Sequence, residues 1–268
     1  MYAIDFEYDG IFASDYDLMI CSFDGAGGVE TVDCGSDITF NTVPLLNGTR
    51  YALTSTLYEN DTEYTFQICK SSCLSRITPF DSDEQRNVFR WLNRNDGFHK
   101  LKIIQEGYEN IYFEGSFNIK SVQINGEVYG FELTFVTNRP FALLETNKYV
   151  INATSENYVF SFNDCSDNIG HIYPRIQIKC NENGDIKIHN SIEDRTTVIK
   201  NCSVGEIITC DEFMNISTSL PSHHLYDDFN FVFFRVANRF DEIKNTLTIS
   251  IPCQIIIEYN PIVKGVGL

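Results

Sequence analysis

Basic residues are scarce in this chain: 20 Lys and Arg stand against 37 Asp and Glu, for a formal net charge of −17. Phosphate contacts need Lys and Arg, so specific nucleic-acid binding is excluded. No apolar run approaches the ~18 residues that a membrane-spanning helix needs, which argues against membrane insertion. The opening MYAIDFEYDGIF has neither a basic n-region nor an apolar h-region, so the expectation is a protein made and folded in a cytoplasm. Nine cysteines cannot all pair within one chain, and without an export signal they read as reduced thiols. The sequons at Asn47, Asn60, Asn152, Asn201 and Asn215 then read as chance matches in an Asn-rich and Thr-rich chain.

Catalytic motifs are missing too. There is no GxSxG elbow, and no Ser or Cys sits in a recognised nucleophile context. The GAGG run at 25–28 lacks the Lys-Ser/Thr of a phosphate loop and reads as a hairpin turn. A metal site needs ligands that converge on one point. Cys69 and Cys73 have x₃ spacing, but residues four apart on a strand project about 13 Å apart. His223 and His224 are adjacent in the loop SLPSHHLYDD, where an extended chain points neighbouring imidazoles apart. Both groups read as structural or solvent-exposed. The 37 acids offer carboxylate pairs somewhere in space, but availability is not a motif. The expectation is a protein that is not an enzyme, with no catalytic residues, no cofactor and no metal. The alternative function is a lectin-like, carbohydrate-binding β-sandwich. It rests on surface Tyr, because the single Trp, Trp91, falls where burial is the simpler expectation.

What is there is mostly β pattern. In TEYTFQIC, Tyr64, Phe66 and Ile68 alternate with Thr65 and Gln67. RIQIKC and TLTISI repeat the period of two, which marks strands with one buried face. Turn signals fall at Asp9-Gly10, Asn47-Gly48, Asn125-Gly126 and Asn183-Gly184. QINGEVYGFELTF and RIQIKCNENGDIKI both read as hairpins closed by Asn-Gly. One segment differs. After Pro79, Gln85, Val88, Phe89 and Leu92 recur at helical spacing with Trp91 beside them, predicting a helix over about 82–94 whose core face is Val88, Trp91 and Leu92. Ser82 with Gln85 fits a capping box, and Asn95-Asp96-Gly97 ends the helix. Asn138-Arg139-Pro140 breaks the pattern before a new set of β runs begins at Tyr149. The expected fold is mainly β: an N-terminal sandwich-like domain with one short helix over 1–146, and a second β-sandwich over 147–268.

Charge is uneven along this arrangement. Residues 1–69 carry twelve acids and one base, Arg50, whereas residues 147–268 carry fifteen acids and ten bases. Solubility is one account of the acidic segment. The other is that one face of it repels something anionic.

Several stretches together carry a resemblance: FEYDGIFASDYDLMI, NVFRWLNRNDGFHKL, GYENIYFEG and GEVYGFELTFVTNRPFA in the first half, then YPRIQIKCNENGDIKIHNSIEDRTTVIKNCSVGEIITCDEF, DDFNFVFFRVANRF and SIPCQIIIEYNPIVK in the second. In this order they resemble the distal tail (Dit) proteins of bacteriophages that infect Gram-positive hosts, over nearly the whole chain. The resemblance implies a structural virion component at the tail tip, assembled in the host cytoplasm. It implies a homo-hexameric hub ring built by the N-terminal domain, with a galectin-like second domain projecting outward. The implied partners are the tail-tube protein, a tail-tip hub or lysin protein and, in some phages, receptor-binding proteins. No inserted carbohydrate-binding module of the kind larger members carry is present, so direct binding of host sugar is not implied. In such a ring the acids Asp5, Glu7, Asp9, Asp15, Asp17, Asp24, Asp33 and Asp37 would line or flank the channel through which DNA leaves.

Overall fold

The computed structural model describes residues 4–23, 38–44, 51–58, 62–71, 78–239 and 244–266, giving the backbone alone for 42–44 and 51–57. The fold is mainly β and forms two consecutive units. Residues 1–144 with 263–268 form the first, and residues 145–262 form the second. The sequence pattern assigned everything after 147 to the second domain, whereas the last residues return to the first. Val263 and Val266 pack against the first core, and the Tyr64 hydroxyl donates to the Val266 carbonyl at 3.0 Å.

The first unit contains strands β1 (Asp5–Tyr8), β2 (Ile11–Phe12), β3 (Leu18–Cys21), β4 (Ile38–Pro44), β5 (Tyr51–Tyr58) and β6 (Glu63–Lys70). Helix α1 (Ser82–Leu92) follows, then β7 (His99–Ile104), β8 (Ile111–Ile124), β9 (Glu127–Thr137) and β10 (Ala142–Leu144). The main sheet runs β2-β1-β7-β8-β9-β6-β3, while β4 and β5 form a separate two-stranded ribbon. Alternation sends Phe6, Tyr8, Leu101, Ile103, Phe113, Phe117, Leu133 and Phe135 into one core. The Asp-Gly and Asn-Gly turns behave as their chemistry requires. Asp9 and Gly10 (φ 53° and 79°) join β1 to β2, and Asn125 and Gly126 (φ 52° and 87°) join β8 to β9. The GAGG and Asn47-Gly48 turns lie outside the described residues.

Helix α1 starts at Ser82 as expected, but its cap is Asp81, one residue before the expected one. The Asp81 carboxylate accepts from the Asp83 and Glu84 amides at 2.9 and 2.8 Å, and Glu84 accepts from the Asp81 amide at 2.7 Å. Asp81 therefore outcompetes Ser82, because its frame places a carboxylate, Glu84, in the reciprocal position. Gln85 is left to donate to the Phe80 carbonyl at 3.0 Å. Val88, Trp91 and Leu92 are buried, while Phe89 is partly exposed. Trp91 lies between the rings of Phe6 (5.6 Å) and Tyr16 (4.9 Å), nearly parallel to both. Its indole N–H donates to the Tyr8 carbonyl at 3.2 Å.

The second unit contains β11 (Asn147–Ala153), β12 (Tyr158–Phe162), β13 (Gly170–Ile172), β14 (Arg175–Cys180), β15 (Gly184–Asn190) and β16 (Arg195–Cys202). After β17 (Ile207–Cys210) and β18 (Ile216–Thr218) come the one-turn helix α2 (Leu225–Asp228), β19 (Val236–Asn238), β20 (Asn245–Ile249) and β21 (Cys253–Tyr259). A five-stranded sheet, β11-β21-β14-β17-β18, and a four-stranded sheet, β12-β20-β15-β16, share one apolar core. Here the hairpin expected around Asn183-Gly184 is corrected. β14 and β15 belong to different sheets, so the connection crosses the sandwich instead of closing a hairpin. Both strands bury one face, and placing them on opposite sheets lets Ile176 and Ile178 share that core with Ile186 and Ile188. One polar pair lies inside: the Asn245 side chain bonds both the N–H and the C=O of Ala237 and accepts from Asn190 at 2.8 Å.

Candidate functional site

The acidic segment alternates on β1. With Phe6 and Tyr8 in the core, Asp5 and Glu7 lie on the opposite face and Asp9 begins the turn. These acids are not bare. Asp5 accepts from the Ser14 hydroxyl at 2.6 Å, Asp15 accepts from the Phe12 amide at 3.2 Å, and Glu7 pairs in register with Lys102. Asp17 takes a left-handed backbone (φ 55°) that ends the 3₁₀ turn Ala13–Tyr16. Asp24, Asp33 and Asp37 lie outside the described residues.

Asp9 belongs to a charge network at the end of α1. The Arg94 guanidinium meets Asp9 at 2.6 Å and Asp96 at 2.7 Å, and His99 lies 3.5 Å from Asp9 and 3.0 Å from Asp96. Hydrogen bonds from Arg94 hold both carboxyls below the ordinary carboxylate range, with His99 adding to the effect. The network ties the helix end to the β1–β2 turn. Arg94, Asp96 and His99 are close in sequence, but Asp9 joins them from 85 positions before Arg94, a link that no local spacing shows.

Two surfaces expose large apolar side chains. The β4–β5 ribbon pairs with no other strand among the described residues. An isolated two-stranded ribbon is marginal in water, and this one leaves Ile38 and Phe40 exposed, the latter by 60%. Its Tyr58 end is anchored, with the ring edge-on to Phe141 at 4.6 Å and Lys264 over both rings. On the second unit, Tyr226 and Phe231 are 75% and 57% exposed, with their rings 6.5 Å apart.

A buried polar cluster also lies in the second unit, built from cysteines that the sequence marks only as reduced thiols and from a loop histidine. Cys180 ends β14 and Cys202 ends β16, while Glu206 precedes β17 and His223 precedes α2. His223 Nδ1 meets Glu206 Oε1 at 2.6 Å, and its Nε2 lies 3.4 Å from Asp228. The two side chains are 3% and 0% exposed, whereas His224 faces solvent, so the adjacent imidazoles do point apart. Burial alone raises the Glu206 carboxyl. Hydrogen bonds from Thr218, the Ser203 amide and His223 outweigh it and hold the group low. Burial likewise lowers His223, and the Glu206 contact overrides it to raise the imidazole. The hydrogen bond with Cys180, followed by burial, pushes the Cys202 thiol up. Cys253, opposite Cys180 in register, is pushed up to about 12 by burial.

Comparison with known proteins gives this geometry its context. Residues 1–139 match the family model described as a phage tail protein N-terminal domain, and residues 141–259 match the one described as a phage tail C-terminal domain. The chain belongs to this family of phage tail proteins. No curated protein sequence matches it. Among solved structures, this tail protein is similar to the Dit protein of phage SPP1, described as a paradigm of the hub adsorption apparatus in phages infecting Gram-positive hosts. The superposition has a TM-score of 0.63 at 10% identity and covers 96% of this chain and 98% of the other. The resemblance to distal tail proteins thus holds at the level of fold. A structural component of the phage tail is what the family describes.

Proposed function

We propose that this phage tail protein is a subunit of the tail-tip hub. Six copies close into a ring between the tail tube and the adsorption apparatus, and the chain works as a scaffold and not as an enzyme. The observation that carries this reading is the coverage of the fold likeness. Both units, end to end, correspond to SPP1 Dit, whose description names a hub adsorption apparatus. The first unit builds the ring, and the second, a galectin-like β-sandwich, faces outward toward receptor-binding or tail-tip proteins. Assembly occurs in the host cytoplasm, before release in the virion.

A closed ring of identical subunits needs a head-to-tail interface. The β4–β5 ribbon suits one, because its exposed Ile38 and Phe40, on a ribbon that pairs with no other strand among the described residues, match what a neighbouring copy can cover. The acids of residues 1–69 line or flank the channel. Six times a formal −11 gives −66, and such a lumen keeps DNA from sticking where a basic one would hold it. Arg94 against Asp9 and Lys102 beside Glu7 temper the repulsion between neighbouring subunits. Size-exclusion chromatography with light scattering, with and without the tail-tube protein, tests the assembly. The expected result is a hexamer at least in the mixture. A strict monomer at high concentration with tube protein present would count against the proposal.

A further inference from the structure

The buried cluster of the second unit has the composition and spacing of a metal centre. The sulfurs of Cys180 and Cys202 and a carboxylate oxygen of Glu206 lie within 4.8 Å of one another; His223 stands outside that trio, with its Nδ1 2.6 Å from Glu206 Oε1. Tetrahedral zinc holds its ligands at about 2.0–2.3 Å, which sets neighbouring ligand atoms roughly 3–4 Å apart. Closing Cys180, Cys202 and Glu206 onto one ion therefore takes small side-chain shifts, and His223, already against that carboxylate, would have to swing toward the sulfurs to become the fourth ligand. The far nitrogen of His223 lies 3.4 Å from the Asp228 carboxylate without forming a hydrogen bond; metal-bound imidazoles commonly donate that N–H to a carboxylate, so metal binding would tighten this contact.

We propose that Cys180, Cys202, Glu206 and His223 form a closed structural site for one zinc ion. Two sulfurs, one imidazole nitrogen and one carboxylate oxygen suit this borderline-soft ion, whereas calcium and magnesium require sets of six or more oxygens. Four protein ligands leave no open position, so the site is structural and not catalytic. Binding deprotonates both thiols and leaves the imidazole neutral, and the released protons go to solvent. The site's place in the fold gives it a role. Cys180 belongs to the five-stranded sheet and Cys202 to the four-stranded sheet, while Glu206 and His223 come from the connections around β17 and α2. One ion would pin both sheets and the segment before α2 together. Without it, the same residues make a buried His–Glu pair beside thiols, sealed by Thr218 and the Ser203 amide.

The test uses the full chain, purified without chelators or a metal-affinity tag, with zinc measured by plasma mass spectrometry. About one zinc per chain is expected, with two sulfurs in its X-ray absorption shell, and Cys202→Ser and His223→Gln should each lower occupancy at least tenfold. Should those variants fail to fold, wild-type protein stripped by chelator and titrated with Co²⁺ under reducing conditions should show a thiolate-to-cobalt charge-transfer band, which one equivalent of Zn²⁺ removes. Three outcomes would overturn the proposal. They are reduced wild-type protein that takes up neither ion, a Cys180–Cys202 disulfide in place of free thiols, and zinc that remains bound in a folded Cys202→Ser variant.

Discussion

Replacing Trp91 by Ala probes the joint between the helix and the sheet. The side chain is 4% exposed, packed between Phe6 and Tyr16, and its N–H satisfies the Tyr8 carbonyl. Truncating a buried aromatic of this kind costs about 3–5 kcal/mol, because the transfer energy is lost and a cavity remains. Loss of the hydrogen bond to the Tyr8 carbonyl adds to the cost. In a unit of this size each kcal/mol lowers the melting temperature by about 2–4 °C, so a fall of roughly 10 °C is expected. The two units have separate cores, so calorimetry should show the first unit's transition moving while the second stays in place. Trp91→Phe, which keeps two of the ring contacts, should recover more than half of the loss. The sole Trp also makes emission a direct probe, and native fluorescence should be blue-shifted and shielded from iodide. A melting temperature unchanged by Trp91→Ala, together with a lost binding partner, would refute the reasoning and make Trp91 a contact residue.

Acid stability should report the Arg94 network. The folded-state pKa values of Asp9 and Asp96 are depressed, so their contribution is present above the ordinary carboxylate range and lost as pH falls through the depressed values. Wild type should therefore exceed Arg94→Met in stability at pH 7, with the gap closing toward pH 2 in denaturant titrations; a gap independent of pH would contradict this. Gly130→Ala places a Cβ 2.5 Å from the Ile68 carbonyl and from the Phe23 ring, and should cost about 1–3 kcal/mol by urea unfolding. Phe40→Ser in the ribbon should leave the melting temperature within about 1 °C while lowering the assembled fraction in light scattering, as fits an exposed side chain that a neighbour buries. A glycan array and a cell-wall hydrolysis assay should both be negative, whereas glycan binding abolished by Tyr226→Ala would support the lectin alternative.

Much of the fold was legible because its signals are local. The alternation in TEYTFQIC and RIQIKC requires only that one face of each strand be buried, and the positive φ values at Asp9-Gly10 and Asn125-Gly126 follow from turn chemistry. The capping box shifted by one residue because Asp81 and Ser82 are both competent caps, and the choice between them falls to the residue three positions on. Asn183-Gly184 misled for a different reason. A turn signal says that the chain reverses, but not whether it returns to the same sheet or crosses to the facing one. The buried cluster was illegible from spacing, since Cys180, Cys202, Glu206 and His223 share no periodicity and meet only when the two sheets stack. The helix showed its inward residues through a period of 3.6, yet the contact between Trp91 and Tyr16 spans 75 positions and carries no sequence signal.

The central claim concerns assembly, and electron cryomicroscopy of this protein bound to its tail-tube partner tests it most directly. Class averages should show a six-fold ring with the first unit inward and with Asp5, Glu7 and Asp9 facing the channel or its rim. A ring with those acids on its outer surface would end the lumen proposal alone. Particles with no rotational symmetry, carrying one copy at the end of the tube, would contradict the hub assignment itself.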